Sequence, residues 1–89
     1  MSQALIEGTL YIQSTDHDWG VSFVPNTPGL HGSTGIHTGE GDEGLVAFLR
    51  ELGLSQERID DGFEELRLHG NVSIHPARLT PEQIRRYSL

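Results

Sequence analysis

Two helical apolar stripes in succession constrain this chain more than any other feature. Between Asp42 and Gly70, Leu45, Phe48, Leu49 and Leu52 recur at helical spacing, and Ile59, Phe63 and Leu66 do so again. Asp42 reads as the N-cap of the first helix and Gly53 as its stop. Ser55 caps the second helix, which runs to His69 and Gly70. Such a pair has an apolar face to bury, so the rest of the chain must supply the surface that covers it.

That surface reads as a sheet. In Leu5 to Gln13, Ile6, Leu10 and Ile12 fall on one face and Glu7, Thr9, Tyr11 and Gln13 on the other. Gly8 occupies an inward position between Ile6 and Leu10, the mark of a bulge or a close backbone approach. Turn formers at 14–18 lead into a second strand, Trp19 to Val24, with Val21 and Phe23 on one face. From Pro25 to Gly41 the composition turns to Gly, Pro, Ser, Thr and His, which reads as a long irregular segment with room for a short strand at Ser33–Thr38. Val72 to His75 is a further short strand with Val72 and Ile74 inward. Thr80-Pro81-Glu82-Gln83 spells a capping box with proline at the first helical position, and Leu79 and Ile84 stand at staple spacing. A short helix starts there, with Ile84 and Tyr87 inward and Arg85 and Arg86 outward.

These elements predict one α+β domain: a small antiparallel sheet, an N-terminal hairpin plus one or two short strands, with two central helices and a short C-terminal helix on one face. The hairpin spans 4–25, the Gly/Pro-rich loop 25–42, the helix pair 42–70, and the strand with its short helix 71–89. A chain of 89 residues holds a single modest core, which leaves room for a homo-oligomer or a partner to cover part of it.

Composition removes several classes of function. Cysteine is absent, which excludes disulfides, thiol nucleophiles and thiolate metal sites. No apolar run approaches the ~20 residues of a membrane span, and no basic, then apolar, leader opens the chain, so a soluble cytoplasmic protein is the expectation. The formal net charge is −7. All the acids but Glu82 lie in residues 1–66, whereas Arg67, Arg78, Arg85 and Arg86 lie after them, and lysine is absent. An acidic domain repels phosphate, which argues against nucleic acid and anionic membrane and favours a basic protein partner.

Histidine is the one residue type suited to a metal centre. His17 lies between Asp16 and Asp18, and His31 and His37 lie in the Gly-rich segment, so convergence of turn and loop would make a zinc, nickel or copper site. No helical metal-ligand spacing accompanies them, and no cofactor is called for. Ser33 in Gly32-Ser33-Thr34-Gly35 is not a nucleophile elbow. The same loop lacks the lysine of a phosphate cradle, and Glu40, Asp42 and Glu43 would repel the anion. The second helix carries Glu57, Asp60, Asp61, Glu64 and Glu65 on its polar side. The plainer reading is a solvated face with mild self-repulsion; the functional one is an acidic docking surface.

The run Asp16 to Gly29, followed by Thr38-Gly39 and the Glu43–Leu52 helix, resembles the N-terminal domain of HicB-type antitoxins over roughly residues 7–52. The resemblance lies in a strand, an Asp/Gly turn, a second strand ending in Pro-x-x-Pro-Gly, a short strand and a helix. It implies a domain that binds and masks a small basic RNA-cleaving toxin. Separately, Leu52-Gly53-Leu54-Ser55 with Ile59, Phe63, Leu66 and Gly70-Asn71-Val72 resembles the helix-turn-helix-wing passage of winged-helix domains, with Val72–Ile74 and Arg78–Leu79 as wing strands. Its recognition helix would be the acidic one, which suits protein contact better than the major groove.

The sequence therefore points to a non-enzymatic protein-binding or regulatory module, an inhibitor in one version. Trp19, Phe23, Glu57, Asp60, Asp61, Glu64 and Glu65 are the candidate partner-binding residues. A metal-binding protein or enzyme built on His17, His31 and His37 is one alternative. A winged-helix-like regulator with Arg78, Arg85 and Arg86 on phosphates is another.

Overall fold

The computed structural model describes residues 5–15, 17–26 and 34–87. Four strands form one antiparallel sheet in the order β3-β2-β1-β4: β1 (Ile6–Ser14), β2 (Asp18–Pro25), β3 (Thr34–Glu40) and β4 (Asn71–Leu79). Three helices, α1 (Asp42–Glu51), α2 (Gln56–His69) and α3 (Pro81–Tyr87), complete the α+β domain.

The sheet presents its apolar alternation to α1 and α2. Leu10 and Ile12 of β1, Trp19, Val21 and Phe23 of β2, and Ile74, Ala77 and Leu79 of β4 are buried with Leu45, Phe48, Leu49 and Leu52 of α1 and its exit, and Ile59 and Leu66 of α2. The opposite face of the sheet is polar: Glu7 pairs with Arg78 at 2.8 Å and Thr9 Oγ1 lies 2.9 Å from His75 Nδ1. This is the division expected of an antiparallel sheet covered on one side.

Two irregularities reset the alternation. Val21 opposes His37 while Ser22 opposes Gly35, so Ile36 is an extra residue on β3. Ile36 and His37 both then address the helices: Ile36 is buried in the core, and the His37 ring stacks on Phe48 of α1 at 4.5 Å between centroids. On β4, Leu10 opposes Ile74 and Gly8 opposes Ala77, which puts one surplus residue beside the cis His75–Pro76 bond. Ile74 and Ala77 thereby face the same side three residues apart.

These irregularities correct two boundaries. The short strand for which the Pro25–Gly41 segment left room at Ser33–Thr38 is β3, which runs from Thr34 to Glu40 and so ends two residues later. Residues 27–33, which hold the Thr27-Pro28-Gly29 part of a tight turn that Asn26-Thr27-Pro28-Gly29 would form, lie outside the described residues. β4 continues through Pro76 to Leu79 rather than ending at His75, because the surplus residue returns Ala77 and Leu79 to the core. Val72–Ile74 and Arg78–Leu79 are thus one strand paired with β1, not two strands of a wing.

The helix ends follow local chemistry, with one exception. Gly41, at φ 79°, is the N-cap of α1, and Asp42 is its first helical residue, where a carboxylate complements the helix dipole. Ser55 caps α2 by accepting the Arg58 N–H, and Gly70 ends it in the left-handed conformation. Thr80 and Gln83 close the reciprocal box, with the Gln83 N–H on Thr80 Oγ1 at 3.0 Å and the Thr80 N–H on Gln83 Oε1 at 2.9 Å.

Candidate functional site

The outward half of α2 holds the five acidic candidates for partner binding, Glu57, Asp60, Asp61, Glu64 and Glu65. On a helical wheel the core side of α2 carries Ile59, Gly62 and Leu66, with Phe63 half-buried beside them. The opposite side carries Glu57, Asp61 and Glu64 in a row that ends at Leu68, flanked by Asp60 on the α1 side and Glu65 on the β4 side. All five acids are exposed, and Leu68 is 69 % exposed. Asp60 accepts a hydrogen bond from Gln56 Nε2 at 2.8 Å, and Glu65 lies 3.5 Å from His69. Glu57, Asp61 and Glu64 have no ion-pair partner among the described residues.

Two depressions flank this ridge. Asp42 and Val46 of α1 with Asp60, Phe63, Glu64 and Arg67 of α2 line one. The other lies between α2 and β4, lined by Arg58, Asp61, Gly62 and Glu65 on the helix and by residues 72–75 on the strand. A Cβ built on Gly62 would sit 3.5 Å from Ile74 Cδ1, an ordinary contact, at a helical φ. A glycine inside a helix can mark close packing of another element; at Gly62 the structure leaves space for a methyl. Gly62→Ala is therefore expected to stabilise the free domain by about 0.5–1 kcal/mol, read as a raised denaturant midpoint.

Trp19 and Phe23 do not belong to a partner surface. They are 7 % and 1 % exposed, because β2 lies inside the sheet and its apolar face is covered by α1. Trp19 stacks on Phe48 at 5.9 Å, and its indole N–H donates to the Gly41 carbonyl at 3.0 Å. A side chain so enclosed cannot be offered to another protein without opening the core.

The three histidines have separate fates. His17 is exposed in the β1–β2 turn, and His37 is half-buried as a packing ring among Trp19, Phe48 and Tyr87. His31 lies outside the described residues. Among the described residues no group of three or more metal-ligating side chains converges, and no helix is long and apolar enough to cross a membrane. The arginines are dispersed: Arg78 is paired with Glu7 on the open face of the sheet, while Arg85 and Arg86 are exposed on α3, Arg86 being 3.9 Å from Glu82. At the α1 N-terminus, Asp42 and Glu43 occupy the first turn where an anion would sit.

What the sequence did not single out is Leu68 and the groove along β4. An apolar side chain at the end of the acidic ridge is the only signal it offers, and the groove exists only once α2 folds back onto the strand. Comparison with protein-family models, curated proteins and solved structures finds no match to this chain.

Proposed function

We propose that this domain is a non-enzymatic binding module that docks a basic protein partner on the outward face of α2. The observation that carries the reading is the outward row of α2: Glu57, Asp61 and Glu64, exposed and uncompensated among the described residues, lead to Leu68, a large apolar side chain held in solvent at the C-terminal end of the helix. Protein-binding patches combine an apolar contact with charged groups beside it. The carboxylates set orientation and on-rate, and Leu68 supplies the contact that excludes water. Masking of a basic partner, the role implied by the resemblance to HicB-type antitoxins, is one form this activity takes. Arginine or lysine side chains of such a partner would meet carboxylates that gain from losing their mutual repulsion.

The test uses the tagged chain and a triple charge reversal, Asp60→Lys/Asp61→Lys/Glu64→Lys, as parallel baits in the native host. All three positions are exposed, so the variant is expected to keep the far-UV spectrum and thermal midpoint of the parent within a few degrees. It is expected to lose the captured basic protein, with affinity falling about 100-fold or more, and binding by the parent is expected to weaken as salt rises. Equal capture by both baits would overturn the reading.

A further inference from the structure

β4 is an edge. It pairs with β1 on one side, and among the described residues no strand lies on the other. Alternate residues of such a strand direct their N–H and C=O groups outward, a template for another chain. Folded proteins commonly guard an edge with proline or charge. The C-terminal half of β4 has both, in Pro76 and Arg78, but Asn71-Val72-Ser73-Ile74-His75 has neither.

The unguarded half is also the half that faces the groove. Its floor is made by Val72, Ile74 and the bare backbone at Gly62, and its wall by Asp61 and Glu65. α2 turns into β4 through Gly70 alone, so the two run antiparallel. Glu65 therefore lies toward Val72 and Arg58 toward His75. Gly62 lowers helix stability where a methyl would meet no clash, and keeps the groove open at its centre.

We propose that the edge Asn71–His75 takes an extended, basic segment of the partner as a fifth strand. This rests on the reading of the domain as a binder of a basic protein and names the segment's conformation and place. Backbone hydrogen bonds to β4 hold the segment. Its alternate side chains point into the groove, where an arginine or lysine lays its aliphatic stem on Val72 and Ile74 and carries its charge to Asp61 and Glu65. Arg58 makes the far end of the groove positive, which places the basic residue at the Val72 end. A second copy of this chain is a poorer occupant, because β4 of another molecule brings its own Asp61 and Glu65 to the same site.

The probe is a terminally blocked peptide of about six residues, the length of an average strand, alternating valine with arginine. It is titrated into the 15N-labelled chain and followed by amide shifts and hydrogen exchange. Shifts and slowed exchange at residues 71–75, lost when alternate peptide nitrogens are methylated, support the proposal. So does affinity at least about tenfold lower for a glutamate-for-arginine peptide or for the Asp61→Asn/Glu65→Gln variant. Shifts confined to Glu57, Asp60, Glu64 and Leu68 overturn strand addition while leaving the acidic-face reading standing. No shift with any peptide, or equal binding of the acidic one, overturns both. Slowed exchange at 71–75 that depends on protein concentration without peptide overturns the proposal in favour of a second copy.

Discussion

Trp19→Ala is expected to destabilise the domain by about 3–5 kcal/mol, the range for removing a buried aromatic side chain. Against a total stability of about 5–15 kcal/mol for an ordinary domain, much of the folded population would be at risk. The indole joins three elements. It lies on Gly39 of β3, where an added Cβ would come within 2.6 Å of its ring, stacks on Phe48 of α1, and donates to the Gly41 carbonyl at the α1 N-cap. That carbonyl also accepts the Leu45 N–H at 3.3 Å. Truncation therefore leaves a cavity between sheet and helix and removes a hydrogen bond from the strand-to-helix junction. Urea unfolding followed by far-UV circular dichroism measures the effect. A loss below about 1 kcal/mol would mean that the residue is not packed as described. The result also separates the core role from a partner-anchor role, since an anchor would lose binding and keep the fold.

Gly8→Ala carries the second large effect, about 3 kcal/mol of destabilisation, at the upper end of the ordinary range for overpacking. Gly8 sits on β1 opposite Pro25 of β2 and Ala77 of β4. A Cβ there would lie 2.3 Å from the Val24 carbonyl oxygen, 2.9 Å from Pro25 Cα and 2.8 Å from Phe23 Cζ. Two of these three neighbours are backbone atoms of the adjacent strand, so relief requires the β1–β2 pairing to open rather than a side chain to turn. The denaturant midpoint of this variant is expected to fall while that of Gly62→Ala rises. The same change of one hydrogen for one methyl thus has opposite signs at the two sites. Equal midpoints for Gly8→Ala and the parent would show that the two strands do not approach as closely as described.

Those two glycines mark the boundary of what a linear reading reaches. Gly8 interrupts an alternating strand and Gly62 an amphipathic helix, and both interruptions are visible in the sequence. Whether the missing Cβ prevents a clash or leaves a gap depends on Val24, Phe23 and Pro25 in one case and Ile74 in the other. These neighbours lie between 12 and 17 residues away in the chain, beyond the reach of local rules.

The acidic ridge divides in the same way. The period of α2 separates Ile59 and Leu66 from the acids, so that the carboxylates face outward was legible. That Leu68 is left in solvent beyond them, and that Asp61 and Glu65 line the groove against β4 while Asp60 and Glu64 line the one against α1, depends on how α2 rolls against the sheet. Trp19 and Phe23 failed as surface candidates for the same reason. An aromatic residue on a strand reads alike whether its face meets water or a helix.

What the sequence determined by itself is the part of the fold written within four or five residues: the two helical stripes, Ser55 and Gly70 at the ends of α2, the box at Thr80 and Gln83, and the alternation of β1. Cap and turn hydrogen bonds close over those distances, so their chemistry is local. The tertiary structure alone decided the strand order, the surplus residues at Ile36 and beside His75–Pro76, the burial of Trp19 and Phe23, and the open edge beside α2. Each depends on a surface brought from elsewhere in the chain, and burial is a property of the pair of surfaces rather than of either segment.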